Sequence, residues 1–517
     1  MEVESIKNSK SYGFVIDNRK CIGCHACTIA CKAEHDVPIG VFRTWVKYIE
    51  KGVYPDTRRL FSVMRCNHCE DAPCVNICPV TALYTRADGI VDFDGTRCIA
   101  CKSCMQACPY DALYIDPNTQ TAAKCNYCSN RIELGLQPAC VVVCPEQAII
   151  SGDINNPETE ISKLLARQTV SVRKQEKGTS PKVFYIEGDT VMLTPMAVPK
   201  QKNYMWSSQS EGVGHYAEHH YESSLKDHYE TNVKRTYDVP DKGRLWGWQV
   251  PSYLFTKSIG AGLGLLLSML VLMNLQISSE IGLSIGIIGM VSILATVSFL
   301  VLDLDQPKRF YTVLLRPQMK SWLTRGAYIL VFYSLLLFIV TIISALTDPV
   351  EISIFITILV LVFAFLSAVY TAFLFAQAKG RDFWQSPILP FDMLVHSLLS
   401  GSSVLLLLNE FGIPLSTATD SFVKMIFYIS AYSSVLFALM EVYVTHPTED
   451  AHRTSKEIKE GKWSKSFWSS VIGLMILPIA LTFNIVLLNI IAFVLTLYCI
   501  FTILRIWVYA PQDIALV

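Results

Sequence analysis

Sixteen of the seventeen cysteines in the chain lie between Cys21 and Cys144, in four groups of four. The groups are Cys21, Cys24, Cys27 and Cys31; Cys66, Cys69, Cys74 and Cys78; Cys98, Cys101, Cys104 and Cys108; and Cys125, Cys128, Cys140 and Cys144. The first and third have the spacing C-x2-C-x2-C-x3-C, in which three thiolates hold one cubane iron–sulfur cluster and the fourth reaches a second cluster. The second and fourth lengthen only the central gap, which indicates a loop inserted into a repeated unit. The pattern predicts four [4Fe-4S] clusters.

Two other uses of cysteine fit this pattern less well. Structural zinc uses two pairs of ligands and gives no reason for a third and fourth cysteine before a proline. Disulfides need an oxidising compartment, and we expect no export, since the first 20 residues hold no apolar segment of signal-peptide length and no twin-arginine pair. The remaining cysteine, Cys499, lies in an apolar run and is predicted to be a packing residue.

The polarity of the chain changes near residue 245. Residues 1–190 are polar and are predicted to form the cluster domain, with cysteine runs as loop-to-helix turns between short strands. The strand-sized segments are Gly13–Ile16, Ala82–Tyr84, Ile90–Phe93, Ala112–Ile115 and Lys182–Glu187. The formal net charge of zero over 517 residues favours no nucleic-acid partner.

Residues 191–245 are interpreted as a polar, extended linker. The linker contains His215, His219, His220 and His228. The four-residue spacing of His215 and His219 could hold a metal or a haem, but surface histidines are more often simply solvated, and we favour that interpretation.

Residues 246–517 are predicted to form an all-α bundle of eight membrane helices. The apolar segments are Tyr253–Leu275, Ile281–Leu302, Trp322–Leu346, Ile352–Phe375, Pro390–Leu408, Phe422–Val444, Phe467–Phe483 and Ile485–Ile506. Connections on the side of the cluster domain are rich in lysine and arginine, from Lys308 to Lys465, whereas those on the far side contain neither. The positive-inside rule therefore places the cluster domain in the cytoplasm of a cell, or inner, membrane.

Ionisable residues inside membrane helices are costly and hence candidates for function. A quinone that takes two electrons also takes two protons, so its site needs hydrogen-bond donors and titratable groups. The candidates are Lys257, Asp303, Tyr370, Asp392 and His396. We interpret Lys257, Asp303 and Tyr370 as quinone-binding residues.

Other polar residues near the helix ends have simpler interpretations. Tyr443, His446 and Asp305 are expected to be anchors at the membrane interface. Arg325 and Glu441 are a possible buried pair of opposite charges.

Two resemblances cover most of the chain. Residues 13–187 resemble the four-cluster electron-transfer subunit of complex iron–sulfur molybdoenzymes. Residues 246–510 resemble the eight-helix, quinone-binding NrfD-type anchor of polysulfide reductase, through "DLDQPKRF" (Asp303–Phe310), "SWLTRGAY" (Ser321–Tyr328), and "YT" at Tyr370 followed by "WQSPILP". The resemblance implies an α+β ferredoxin-like domain fused to the membrane bundle, two parts that relatives usually carry on separate chains.

The first resemblance also implies which cysteines share a cluster. It pairs the first group with the fourth and the second with the third. The implied sets are Cys21, Cys24, Cys27 and Cys144; Cys125, Cys128, Cys140 and Cys31; Cys66, Cys69, Cys74 and Cys108; and Cys98, Cys101, Cys104 and Cys78. The first set would lie nearest a catalytic partner and the last nearest the quinone. Tyr370 matches a family tyrosine that bonds the quinone, whereas the role of Lys257 is inferred from this chain alone.

Together these features predict a subunit of a quinone-dependent oxidoreductase that is anchored among membrane lipids. It would link a separate catalytic chain, carrying a molybdenum or tungsten pterin, to menaquinone or ubiquinone, with coupled proton uptake or release. Two alternatives stay open: a hydrogenase or a ferredoxin-like protein feeds the clusters, or the helices translocate protons within a larger respiratory complex.

Overall fold

A computed structural model describes residues 10–199, 232–239, 242–483 and 485–516. The four linker histidines lie outside these ranges. The chain forms two compact units. The first contains the residues up to Leu245, together with Ala378–Arg381 and the residues from Asp513 onward; the second contains Trp246–Gln377 and Asp382–Gln512.

The first unit is built from small sheets. Its strands are β1 (Tyr12–Asp17), β2 (Thr44–Val53), β3 (Asp56–Arg65), β4 (Leu83–Thr85), β5 (Val91–Phe93), β6 (Leu113–Asp116), β7 (Thr121–Lys124), β8 (Ile149–Asp153), β9 (Val170–Ser171), β10 (Val183–Ile186) and β11 (Val233–Tyr237). One sheet has the order β8-β1-β10-β9, a second has the order β11-β2-β3, and β4-β5 and β6-β7 are separate hairpins. The five predicted strands are confirmed, whereas the long β2–β3 hairpin was not predicted.

Short helices follow or contain the cysteine runs, as predicted. The helices of this unit are α1 (Ala26–His35), α2 (Pro73–Ile77), α3 (Ser103–Ala107), α4 (Ser129–Ile132), α5 (Ala139–Val142), α6 (Glu160–Arg167) and α7 (Thr190–Leu193). The apolar core beside them is small and includes Phe14, Ile49, Val63 and Tyr185. Cysteines such as Cys27 and Cys140 are part of that core, which agrees with clusters replacing hydrophobic volume in a small fold.

Part of the predicted linker is built into the first unit. Strand β11 pairs antiparallel with β2. Just after it, Asp238 lies 2.9 Å from Lys47 Nζ and 3.1 Å from Arg235 Nε. Burial alone would raise the pKa of Asp238, but the charges of Lys47 and Arg235 lower it overall. The interpretation of 191–245 as a polar, extended linker therefore does not describe β11, which is a strand of a sheet.

Within the described residues, the second unit contains eight helices that are long and apolar enough to cross a membrane. They are α8 (Gln249–Leu272), α9 (Ser279–Leu302), α11 (Trp322–Leu346), α12 (Ile354–Gln377), α13 (Leu389–Glu410), α14 (Thr417–Tyr443), α16 (Ser464–Ala480) and α17 (Val486–Asp513); α10 (Thr312–Leu315) and α15 (Glu449–Lys459) are short connecting helices. The prediction of eight spans is confirmed. Helix α17 continues past its predicted end at Ile506, and α15 was not predicted because its sequence is polar.

Arg325 and Glu441, whose pairing the sequence left undecided, have other partners. Arg325 Nε donates to the Met319 carbonyl, and its guanidinium lies over the Trp322 ring. Glu441 instead accepts a hydrogen bond of 2.7 Å from Ser386. Each group has a polar partner close by, so neither needs the other charge.

Candidate iron–sulfur centres and membrane site

All sixteen grouped cysteines are free thiols. Cys24 is exposed, Cys21, Cys101 and Cys144 are half-buried, and the other twelve are buried. Among the described residues, no group of three or more His, Cys, Asp or Glu side chains is arranged to hold a single metal ion.

Two sets of four cysteines line separate cavities. Cys21, Cys24, Cys27 and Cys144 line one cavity, together with apolar side chains such as Val46 and Val63. The other is lined by Cys78, Cys98, Cys101 and Cys104, together with Leu83 and Ile99. In each cavity three cysteines come from one group and the fourth comes from another. The structure thus brings together the first and last sets implied by the resemblance.

The two remaining sets follow from the thiols that lie near Cys31 and near Cys74 and influence their pKa values. Burial raises the pKa of the Cys31 thiol, and the nearby thiols of Cys125, Cys140 and Cys128 raise it further. Burial likewise raises the pKa of Cys74, with further contributions from Cys108, Cys66 and Cys69. Cys31 therefore lies with the fourth group and Cys108 with the second, again as the resemblance implies.

The backbone repeats one conformation in all four groups. The residue before the second cysteine of each group has a left-handed φ: 70° at Gly23, 43° at His68, 56° at Ala100 and 62° at Tyr127. Three of these residues carry a side chain, for which the left-handed region is uncommon and persists only where the surroundings require it. The recurrence at one position supports four copies of one structural unit.

Backbone N–H groups also point at cysteine sulfurs. Ala100 and Ala122 donate to Cys98 Sγ at 3.3 and 3.4 Å, and Ala148 donates to Cys144 Sγ at 3.2 Å. Such bonds stabilise negative charge on sulfur, which a cluster ligand carries. The residues present therefore fit iron–sulfur clusters.

Two side chains beside the cysteines were missed by the sequence analysis. His35 Nε2 lies 3.1 Å from Cys128 Sγ, and Arg65 Nη1 lies 3.2 Å from Cys140 Sγ. Both contacts join residues more than 70 positions apart, so no local spacing pattern could indicate them.

In the membrane unit, Lys257 and Tyr370 lie together. Lys257 is 1% exposed. Its Nζ donates to the Ala368 carbonyl at 3.0 Å and to Thr371 Oγ1 at 2.7 Å, and it lies 4.7 Å from the centre of the Tyr370 ring. In the described part of the chain, no carboxylate lies within ion-pair distance of Lys257. A buried amine among neutral groups is costly, which keeps Lys257 a candidate functional residue.

The motif glycine Gly326 makes room for Tyr370. A Cβ atom at Gly326 would lie 2.2 Å from Cε2 of the Tyr370 ring. This contact links the "SWLTRGAY" segment on α11 to the "YT" segment on α12. Tyr253, one turn before Lys257 on α8, is close to Tyr370 and to the half-buried Asp303 at the end of α9. Lys257 and Tyr370 are thus in direct contact, and Tyr253 lies between this pair and Asp303.

Asp392 and His396 form a second group on α13. His396 Nδ1 lies 3.5 Å from Asp392 Oδ2, and both side chains are buried. Trp507 Nε1 donates to the same carboxylate oxygen at 2.9 Å, and His396 Nε2 lies 3.0 Å from Ser434 Oγ. Trp507 and Ser434 were not predicted, because tryptophan and serine are ordinary residues in apolar helices.

These features define a class of protein in which an iron–sulfur domain is joined to a multi-pass membrane domain. Residues 57–154 match the family model of the 4Fe-4S dicluster domain, and residues 238–511 match that of polysulphide reductase, NrfD. The protein belongs to the NrfD family through its membrane half, and it carries a 4Fe-4S iron–sulfur subunit in the same polypeptide. The predicted fold class and the predicted fusion are confirmed.

Several curated proteins are similar to the iron–sulfur part. One subunit of the tetrathionate reductase of Salmonella typhimurium is 45% identical over 189 residues, which are 36% of this chain and 76% of that protein. One chain of the polysulfide reductase of Wolinella succinogenes is 42% identical over 183 residues, 34% of this chain and 95% of that protein. Protein NrfC of Escherichia coli is 40% identical over 182 residues, 35% of this chain and 82% of that protein.

Proposed function

We propose that this chain passes electrons through four [4Fe-4S] clusters between a separate catalytic subunit and a membrane quinone. The observation that carries the proposal is the assembly of sixteen cysteines into four sets, each drawn from two groups. Each set supplies the four thiolates that a cubane requires. Because paired groups contribute to two sets each, their clusters would be close neighbours.

The exposure of the cysteines supports a direction for the route. Cys24 is the exposed member of the sixteen, and it belongs to the first set. Electrons would enter or leave at this set, and the last set, with Cys78, would exchange electrons with the quinone.

The relatives support a separate catalytic chain, since they are named as subunits of tetrathionate and polysulfide reductases. We propose that this partner carries a molybdenum or tungsten pterin. A hydrogenase or a ferredoxin-like donor is the second candidate.

The neighbourhood of Lys257 and Tyr370 supports the quinone site. A quinone, menaquinone or ubiquinone, supplies two-electron and two-proton redox chemistry in a lipid-soluble carrier. The Tyr370 hydroxyl would orient the carrier by donating to one of its oxygens. Lys257 Nζ, held by Thr371 and the Ala368 carbonyl, would hold or release a proton beside it, and Asp303 at the end of α9 would exchange that proton with water.

Purification of the intact complex from its native membrane tests this function. We expect about sixteen iron atoms per chain, a partner subunit with molybdenum or tungsten, and cluster EPR signals that change when a quinol or quinone analogue is added. A partner without either metal would favour the hydrogenase or ferredoxin alternative. EPR signals that respond to no quinone or quinol would contradict the proposal.

We also propose a cytoplasmic iron–sulfur domain, on the basis of the charge pattern of the connections. Protease added to inverted membrane vesicles is expected to cleave residues 1–245, while the same protease added to sealed spheroplasts leaves them intact. Cleavage in sealed spheroplasts would contradict this orientation.

The network around Asp392 supports coupled proton transfer as a further part of the function. Inside the helices, the Asp392 carboxylate accepts a hydrogen bond from Trp507 and lies 3.5 Å from His396 Nδ1, and buried ionisable groups of this kind form proton relays. Asp392→Asn is expected to lower the number of protons translocated per quinone reduced in proteoliposomes, with quinone reduction preserved. The control Glu280→Gln changes an exposed acid at the start of α9 and should leave both rates unchanged. Parental proton translocation in Asp392→Asn would exclude this role.

A further inference from the structure

Arg65 is a buried cation at the end of β3, directly before the second cysteine group. Its side chain is 1% exposed. Within the described ranges, no carboxylate forms an ion pair with it. Its guanidinium carbon lies 4.5 Å from the centre of the Phe14 ring, and Nη1 donates to Cys140 Sγ at 3.2 Å.

Two of its donors are buried without a protein partner. Nε and Nη2 of Arg65 have no hydrogen-bond acceptor among the described residues. A buried donor without an acceptor destabilises the fold, and so does a buried charge that no opposite charge compensates. A site that keeps an arginine at this cost needs a negative group nearby.

The cysteines beside Arg65 belong to two different sets. The Cys140 thiol accepts a hydrogen bond from Arg65. The Phe14 ring, over which the guanidinium lies, packs in one core cluster with Cys27 and Cys140, and the Cys125 thiol is also near Arg65. Cys27 belongs to the first set, and Cys125 and Cys140 belong to the second. A cubane with four thiolate ligands is negatively charged and gains one more negative charge on reduction, and its potential depends on nearby charge and on hydrogen bonds to its sulfurs.

We propose that Arg65 is a shared counter-charge for the first and second clusters. Its cation and its donors stabilise the reduced form of both clusters and so raise both reduction potentials together. The shared charge keeps the potentials of two neighbouring clusters close, which allows electrons to step between them. Arg65 is thus a positioning residue that acts through the clusters and does not touch the substrate.

Redox titration of the whole complex, followed by EPR, tests this role. Signals of the first and second clusters are identified by their loss in Cys24→Ser and Cys128→Ser. In Arg65→Gln, the reduction potentials of both clusters are expected to fall by at least about 59 mV. For a one-electron step this is a tenfold decrease in the equilibrium constant for reduction. The third and fourth clusters keep their potentials. The control is Arg58→Gln, because Arg58 lies on the same strand but its side chain is 69% exposed. This variant should leave all four reduction potentials unchanged.

Arg65→Lys covers the case in which the glutamine variant fails to assemble. Lysine keeps the charge but lacks the planar fork of donors, so a smaller fall confined to the same two clusters is expected. Unchanged potentials in the variant that assembles, or equal shifts in all four clusters, would overturn the proposal. The inference rests on the proposed function, in which the chain holds four clusters. The iron content of the unmodified complex and its four titration steps test that assignment separately from the Arg65 variants.

Discussion

The Cys78→Ala variant is expected to lose the cluster of the third cysteine group and all electron transfer to quinone. Cys78 belongs by sequence to the second group, but it lines a cavity with Cys98, Cys101 and Cys104. Loss of this thiolate would interrupt the route at its quinone end while the other three clusters stay reducible by the catalytic partner. EPR of the reduced complex and a quinone-reduction assay measure the two effects.

The matched control is Cys499→Ala. Cys499 is also buried, but it lies in α17, outside the four groups. This variant should keep all four cluster signals and the parental rate. If Cys78→Ala kept its four cubane signals, or lost the signal of its own group instead, the assignment of cysteines to clusters would be wrong.

The Lys257→Met variant is expected to lose quinone reduction by about 10²–10⁴-fold, the usual contribution of a positioned acid or base. The clusters should still be reduced by the catalytic partner, because the change removes only the proton-carrying group beside Tyr370. Methionine is of similar length, and replacing a buried cation that has no acidic partner removes a desolvation cost. We therefore expect the thermal unfolding temperature to stay the same or rise while activity falls, a combination that general misfolding would not produce.

Lys424→Met provides the comparison for this lysine. Lys424 forms a 2.7 Å ion pair with Asp420 near the start of α14 and is one-third exposed. Its replacement should leave quinone kinetics unchanged. Parental quinone reduction in Lys257→Met would remove Lys257 from the site, and equal loss in both variants would indicate a non-specific effect.

The sequence predicts the parts of this protein that depend on local spacing. Cysteine runs and apolar segments of membrane length are regular along the chain, so the cluster domain and the eight helices could be predicted. The contact of Arg65 with Cys140 and that of Trp507 with Asp392 join residues 75 and 115 positions apart, and they come together only when the protein folds. The sequence left the pairing of Arg325 with Glu441 undecided for the same reason, because opposite charge alone does not reveal the contacts with Met319 and Ser386.

The composition of the first unit has a consequence for biosynthesis. Arg381 donates to Gln106 at 2.9 Å and to the Ile514 carbonyl at 2.5 Å, so residues translated after four and after eight membrane helices complete this unit. Clusters can be inserted while the chain is still being synthesised. The contacts that join Gln106, Arg381 and Ile514 can form only after all eight membrane helices have been translated. Insertion by the translocon and cofactor delivery must therefore be coordinated in time, a requirement that two separately synthesised subunits do not face.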